Sequence, residues 1–418
     1  MTFRTASSIA NPPDHLDMPR LTIILPLKGR YLFTLRFLWH ANRARLPYRI
    51  VIADGQVRPA LAKILENSRE HFSNLDITYL RYPDDIDYHS YFLKMADALR
   101  CVKTPYAMLA DNDDFIACEG TERSLNFLDV NKDYICCGGG LAGFSVYSGL
   151  RRPNGPTGRF NRYAYRYTHL DHSEDISSSS SVERLRQGSR NWWSYYAVYR
   201  TEALQTIWRE ILDIDFSDLH LHELFCAMRA LTLGNICSDG KTIAYLRQYG
   251  TSLGYYKKGW VHHLLRSRFT QDFDAMIDRI STAAAAVDGV QAAPIAEMLR
   301  LICGDWLDEF LKIYYGPLQT VKQVMRNNTP YFVNWFKNRR RYFVARERAE
   351  IFARLANDGA SVDYLTTLTD ELRMMEDVVA GREFAAFIEP YIPVLDAADS
   401  SPRSAPARLE SSPGHRWT

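Results

Sequence analysis

Three aspartates, Asp111, Asp113 and Asp114, fall within four residues of one another, directly after an apolar run, Tyr106–Ala110 (YAMLA), that has no acidic residue. Carboxylates crowded into one turn repel each other, and keeping them ionised calls for a compensating cation. Hard oxygen donors suit Mg2+ or Mn2+, ions that leave positions open for phosphate oxygens. The expected ligands are Asp113 and Asp111. A lone D-x-D is more often a solvated acidic turn, so what precedes and surrounds this one decides its meaning.

The elements that must position the cluster are readable from periodicity. Leu21–Leu27 (LTIILPL) and Tyr48–Ala53 (YRIVIA) are short apolar runs of the buried-strand kind, stopped by Lys28-Gly29-Arg30 and by Asp54-Gly55. Tyr31–Asn42, Ala60–Phe72 and Tyr91–Val102 carry apolar residues at helical spacing, and Asp76–Tyr82 and Tyr106–Ala110 read as further strands. Strands alternating with helices predict a parallel sheet with helices on both faces. Ligands of such sheets sit at the carboxyl ends of the strands. Lys28, Asp54 and Asp111–Asp114 are thereby expected on one rim. Regularity fades over 138–191, which includes five consecutive serines, Ser177–Ser181. Asn191–Arg200 (NWWSYYAVYR) then reads as an aromatic strand, Leu219–Leu233 as a helix closed by Gly234, and Ile243–Gln248 as a last strand.

A strand with proline near its end (TIILPLKGR), a second ending in aspartate (YRIVIADG) and a later one running into D-x-D-D together resemble inverting, family-2-like glycosyltransferases of the GT-A type, over residues 20–255. The resemblance implies an α/β fold with a GT-A-like nucleotide-binding sheet, a three-layer α/β/α arrangement. It also implies metal-dependent, hexosyl- or N-acetylhexosaminyl-type transfer from a nucleotide-diphosphate sugar to a hydroxyl acceptor, in bacterial polysaccharide or glycoconjugate synthesis. Carried over by position, Leu25, Pro26 and Leu27 would line the nucleobase pocket, and Asp54 would bond the base or ribose. Asp111 would lie near the ribose or donor sugar, Asp113 would hold the metal, and Lys94 would make a donor contact. Inverting transfer also needs a base to deprotonate the acceptor hydroxyl. The family places it in an E-D pair at the start of an apolar helix. Here Glu223 takes the carboxylate position, 110 residues after Asp113, while His222 replaces the first acidic residue. Asp218 is the alternative base, and the pair Glu174-Asp175 ranks third because no helix follows it. Arg247 and Gln248 stand where the family contacts the diphosphate or the acceptor, and either Trp192 or Trp193 is a candidate platform for an acceptor sugar ring.

Two other readings compete. A nucleotidyltransferase would use a Gly-rich first loop, whereas this loop has the single Gly29. A non-catalytic binding module derived from the same fold would lack the D-x-D or the base.

Composition sets wider bounds. With 418 residues, 46% hydrophobic and 24% charged, the chain is globular and long enough for about two to three domains. A net charge of +2 gives no general pull toward nucleic acid, and none is expected as a partner. Seven cysteines without C-x-x-C spacing predict neither a disulfide framework nor a zinc site. No signal core and no window near ~20 apolar residues is found, which predicts a cytoplasmic protein. The expected organisation is a lead-in over 1–19, the sheet domain over 20–255, a helical region over 256–396 and a disordered tail over 397–418. Within the helical region, Tyr331–Arg348 interleaves six basic residues with six aromatics. The aromatics share an arc of about 140° at ~100° per residue, with Arg340 and Arg341 outside it. Such a helix either packs onto the domain or lies peripherally on an anionic inner membrane face, which would suit a lipid-linked acceptor.

Overall fold

In the computed structural model, residues 5–7, 19–56, 59–148, 163–169, 175–188, 191–217, 219–248, 268–315 and 344–392 are described. Their centre is a mixed ten-stranded sheet. The strands are β1 (Thr5–Ser7), β2 (Leu21–Leu27), β3 (Arg49–Asp54), β4 (Asp76–Arg81), β5 (Tyr106–Leu109), β6 (Phe115–Ile116), β7 (Tyr134–Ser148), β8 (Tyr163–His169), β9 (Val198–Arg200) and β10 (Asn235–Gln248). Their order is β1-β4-β3-β2-β5-β9-β7-β10-β6, with β8 paired to β7. Strands β4, β3, β2 and β5 are parallel, as the alternating pattern predicts, and β2 is buried along nearly its whole length. The far half is not all parallel. β9 is antiparallel to both β5 and β7, β7 and β10 run parallel, and β6 turns back antiparallel to β10.

Helices cover both faces: α1 (Tyr31–Arg43), α2 (Pro59–Glu66), α3 (Ser68–His71), α4 (Tyr88–Arg100), α5 (Cys118–Val130), α6 (Ser181–Gly188), α7 (Thr201–Ile214) and α8 (Leu219–Leu233). The start of α4 is fixed by a capping box in which the Asp87 carboxylate accepts from Ser90 N–H at 2.9 Å. α5 lies so close to β10 that a Cβ at Gly120 would stand 2.1 Å from the Ile243 carbonyl oxygen, so only glycine permits the contact.

The stretch 191–200 departs from the strand expected there. Trp192–Tyr196 is a 3-10 turn, and only Val198–Arg200 is extended. In the turn the neighbours Tyr195 and Tyr196 are both buried, Tyr195 Oη reaching His222 and Tyr196 Oη reaching Asp111. Within the poorly periodic 138–191, the structure has the end of the long β7, the strand β8 and helix α6.

The chain continues as helices α9 (Phe269–Asp288), α10 (Ala292–Tyr315), α11 (Val344–Asn357), α12 (Val362–Ala380) and α13 (Arg382–Ile388). These residues join two cores with the sheet. Met276, Ile277 and Leu299 belong to the large cluster around β2, β3 and β5. Ile351, Leu355, Tyr364, Leu368 and Leu372 close over Phe115, Ala142, Phe144 and Ile243 in a second cluster. The aromatic-basic segment up to residue 343, like the lead-in apart from β1 and the tail, lies outside the described residues. No described helix is long and apolar enough to cross a membrane. All seven cysteines are free thiols.

Candidate active site

The Asp111–Asp114 turn is pinned between β5 and β10. Before it, Ala110 N–H donates to the Ile24 carbonyl at 3.0 Å; after it, Phe115 pairs with Leu246. Within it, Asp114 N–H donates to the Asp111 carbonyl at 3.2 Å. One carboxylate oxygen from each of Asp111, Asp113 and Asp114 lies within 4.8 Å of the others. These hard donors fit a divalent, oxygen-seeking cation. Asp114 thus stands beside the two aspartates expected from the sequence as ligands.

Each carboxylate is held differently. Tyr196 Oη donates to Asp111 Oδ2 at 2.8 Å, and Asp111 N–H donates to Tyr245 Oη at 2.9 Å. The two phenol rings stack at 4.6 Å. Asp114 Oδ1 accepts from Gln248 N–H at 2.8 Å. Asp113 Oδ2 pairs with Arg30 Nη2 at 2.6 Å, and its carbonyl accepts from Arg36 Nη2 at 2.7 Å. Burial, and then the charge of Asp113, pushes the Asp111 carboxyl up; the same causes, with Asp111 added, push Asp114 up further. Arg247 lies over the Tyr196 ring at 5.5 Å. That tyrosine and the carboxylates beyond it hold its guanidinium firmly charged.

Glu223, half-buried in the second turn of α8, belongs to the same neighbourhood. Its charge and that of Asp111 both act on Tyr91, Tyr195, Tyr196 and Arg247. His222, its neighbour in the chain, is packed away from solvent. It is 2% exposed, its Nε2 lies 3.2 Å from Tyr195 Oη, and Tyr91, Phe92, Tyr195 and Trp208 surround the ring. A charged acid placed there would be buried among aromatics. Asp218 and Glu174 lie outside the described residues, as do the side chains of Trp192 and Trp193. Asp175 accepts from Tyr134 Oη at the start of β7, the end of the sheet away from the carboxylates.

The other half of the rim is more closed than a bare binding edge. Leu27 and Asp54 are register partners, and Leu25 and Leu27 are buried; of the three residues ending β2, Pro26 is the most accessible. Asp54 is fully buried. Its Oδ2 accepts from Tyr79 Oη at 2.6 Å and its Oδ1 from Gln56 N–H at 2.9 Å, and burial pushes its carboxyl up. Lys94 is 1% exposed, and its Nζ donates to Asp85 Oδ2 at 2.5 Å and to the Leu27 carbonyl at 3.3 Å. Burial lowers its pKa against the pull of Asp85. Lys94 thus braces the rim from below. A Cβ at Gly55 would lie 1.9 Å from Asp85 Oδ2, so glycine there gives Asp85 its place. Lys28 Nζ, half-exposed, meets the other Asp85 oxygen at 3.4 Å.

Arg30, Arg36, Tyr196, Tyr245 and Asp85 are the site residues that sequence reasoning passes over. Arg30 and Tyr196 lie within segments singled out there, the KGR loop and the aromatic run, but no spacing rule ties either to the aspartates.

No protein-family model matches the chain, and no curated protein does. Solved structures resemble it distantly. The crystal structure of S. aureus TarS 1-349 shares 13% identity at a TM-score of 0.43, over 87% of this chain and 92% of that one. The same protein in complex with UDP-GlcNAc aligns at 13% and 0.43, over 83% and 90%. The mannosyltransferase PcManGT from Pyrobaculum calidifontis, in complex with GDP-Man and Mn2+, aligns at 12% and 0.36, over 94% and 91%. Likeness this remote identifies no activity.

Proposed function

We propose that the chain is a metal-dependent inverting glycosyltransferase, moving a sugar from a nucleotide-diphosphate donor to a hydroxyl acceptor. The observation that carries the reading is the convergence of three carboxylates, Glu223 and Arg247 on one aromatic-lined rim. Asp111, Asp113 and Asp114 would hold Mn2+ or Mg2+, which when bound neutralises charge on the departing diphosphate. Glu223 takes the acceptor's proton as its oxygen attacks the anomeric carbon from the face opposite the leaving group. Arg247, fixed over Tyr196, gives the diphosphate a second positive partner. Pro26 lines the base pocket at the other end of the donor. Asp54 and Lys94 shape that pocket through Tyr79, Gln56 and Asp85; direct contact with the donor requires those bonds to open.

The acceptor is a saccharide, free or lipid-linked, in polysaccharide or glycoconjugate synthesis, handled in the cytoplasm; for the lipid-linked form, residues 331–348 supply a contact with the inner membrane face. The deciding experiment is a melting-temperature screen of nucleotide sugars with and without Mn2+, followed by an assay of slow donor hydrolysis. A donor that raises the melting temperature only with metal, and is hydrolysed to nucleoside diphosphate and sugar, supports the reading. Pyrophosphate release from a nucleoside triphosphate would replace it with nucleotidyl transfer.

A further inference from the structure

Arg30 occupies the position most contested by a metal. Its Nη2 lies 2.6 Å from Asp113 Oδ2, with the two side chains 20% and 6% exposed. The residue is the N-cap of α1 and stands at φ 55°, ψ 37°, in the left-handed region that residues bearing a Cβ seldom adopt. Local backbone strain of this kind persists at sites where a side chain must be aimed. Two arginines meet Asp113 in different ways. Arg36 is 1% exposed and binds the main-chain carbonyl, which a metal would leave untouched. Arg30 binds the carboxylate itself, the group a metal would use, and it keeps some access to solvent.

A divalent ion held by the three aspartates would bring a second positive charge onto a carboxylate that the Arg30 guanidinium already meets at 2.6 Å, and the two cations repel. We propose that Arg30 is an exchangeable counter-ion: it neutralises Asp113 in the metal-free protein, is displaced by the divalent ion, and then turns to the phosphate oxygens that the ion draws in. The inference rests on the metal-centre reading above. Without Arg30, a largely buried carboxylate beside two others would lose the guanidinium that meets it at 2.6 Å. Once displaced, the guanidinium remains tethered at the N-terminus of α1, where the helix dipole also favours an anion. A planar fork of donors suits a diphosphate. The exchange makes and breaks only non-covalent contacts.

The test is calorimetric titration of Mn2+ alone into the full chain. Removing a competing cation should tighten metal binding, so Arg30→Gln is expected to bind Mn2+ roughly 3–10-fold more tightly than wild type. Arg30→Lys, which keeps the charge, should return toward the wild-type value. In a second arm, inorganic pyrophosphate titrated at saturating Mn2+ should bind Arg30→Gln roughly 5–10-fold more weakly. Metal-free melting curves confirm that the variants fold. A scaffold arginine would give the opposite sign in the first arm. Equal or weaker Mn2+ binding by a folded Arg30→Gln overturns the counter-ion while the metal centre stands, and unchanged pyrophosphate affinity overturns the handover. Absence of Mn2+ binding in both wild type and variant overturns this inference together with the metal centre.

Discussion

Asp113 has two jobs on the proposed reading, receiving the metal and, before that, pairing with Arg30. Asp113→Ala is expected to abolish transfer and the Mn2+-dependent rise in melting temperature with donor nucleotide, yet to leave a folded protein, because the residue sits in the turn after β5 and belongs to neither apolar cluster. Activity of the variant near wild type in EDTA would remove the metal from the mechanism. Glu223→Gln should keep donor and metal binding while turnover falls by on the order of 10²–10⁴. If Asp218→Asn shows that loss and Glu223→Gln does not, the base is Asp218. The aspartates were legible because they adjoin in the chain after an apolar strand. Arg30, Tyr196 and Tyr245 were not, since they reach the aspartates only through tertiary contacts, which no local pattern records. Lys94, at the place in the pattern where a donor contact is expected, is buried and paired with Asp85.

Among the elements, period and punctuation revealed β2 to β5 and the helices between them, because both faces of those strands are covered and read as unbroken apolar runs. The antiparallel strands β8 and β9 left weaker traces, and the inward pair Tyr195-Tyr196 mimicked a strand. Invisible from sequence was how α12 meets α5. Its Glu371 Oε1 accepts from Glu119 N–H at 3.1 Å, capping α5 from across the molecule. Burial, opposed by those backbone bonds and assisted by Glu119, pushes the Glu371 carboxyl from 4.5 up to about 7. The folded state therefore favours the protonated acid; its contribution to stability is present below the ordinary carboxyl range and lost as pH rises through 7. Glu371→Gln, a mimic of the neutral acid, should melt above wild type at pH 8 and match it near pH 5. Asp288 behaves oppositely. Burial opposes its ionisation, but bonds from Ser180, Ser181 and Val182 at the start of α6 outweigh that and hold its carboxyl at about 2. Its contribution is present above the usual aspartate range and lost as pH falls toward 2. Melting curves of Asp288→Asn and wild type should differ at pH 7 and converge near pH 2.

For the whole molecule, the C-terminal helices complete the packing behind the aspartate turn. Leu368 is fully buried in the cluster that contains Phe115, the residue next to Asp114. Leu368→Ala is expected to cost about 2–5 kcal/mol. It should lower one transition seen alike by far-ultraviolet dichroism and by Mn2+ affinity. Separate melting of helices and sheet would show the shared core to be energetically loose. Composition and period foretold that helices follow the sheet; that they close its second core was hidden, because an amphipathic stripe does not name its partner.

Asp114 is anchored by the backbone of Gln248, 134 residues further along the chain, and Asp111 by the phenol of Tyr245 on the same strand. At ~5–20 residues per second, a ribosome takes roughly 7–27 s to travel that distance. Throughout that interval the emerging chain carries its acidic turn without the strand that shapes it. Contacts so distant in sequence also close slowly and late. A growing polypeptide therefore presents only a loose run of aspartates, and on the proposed reading cation capture waits until translation has passed β10.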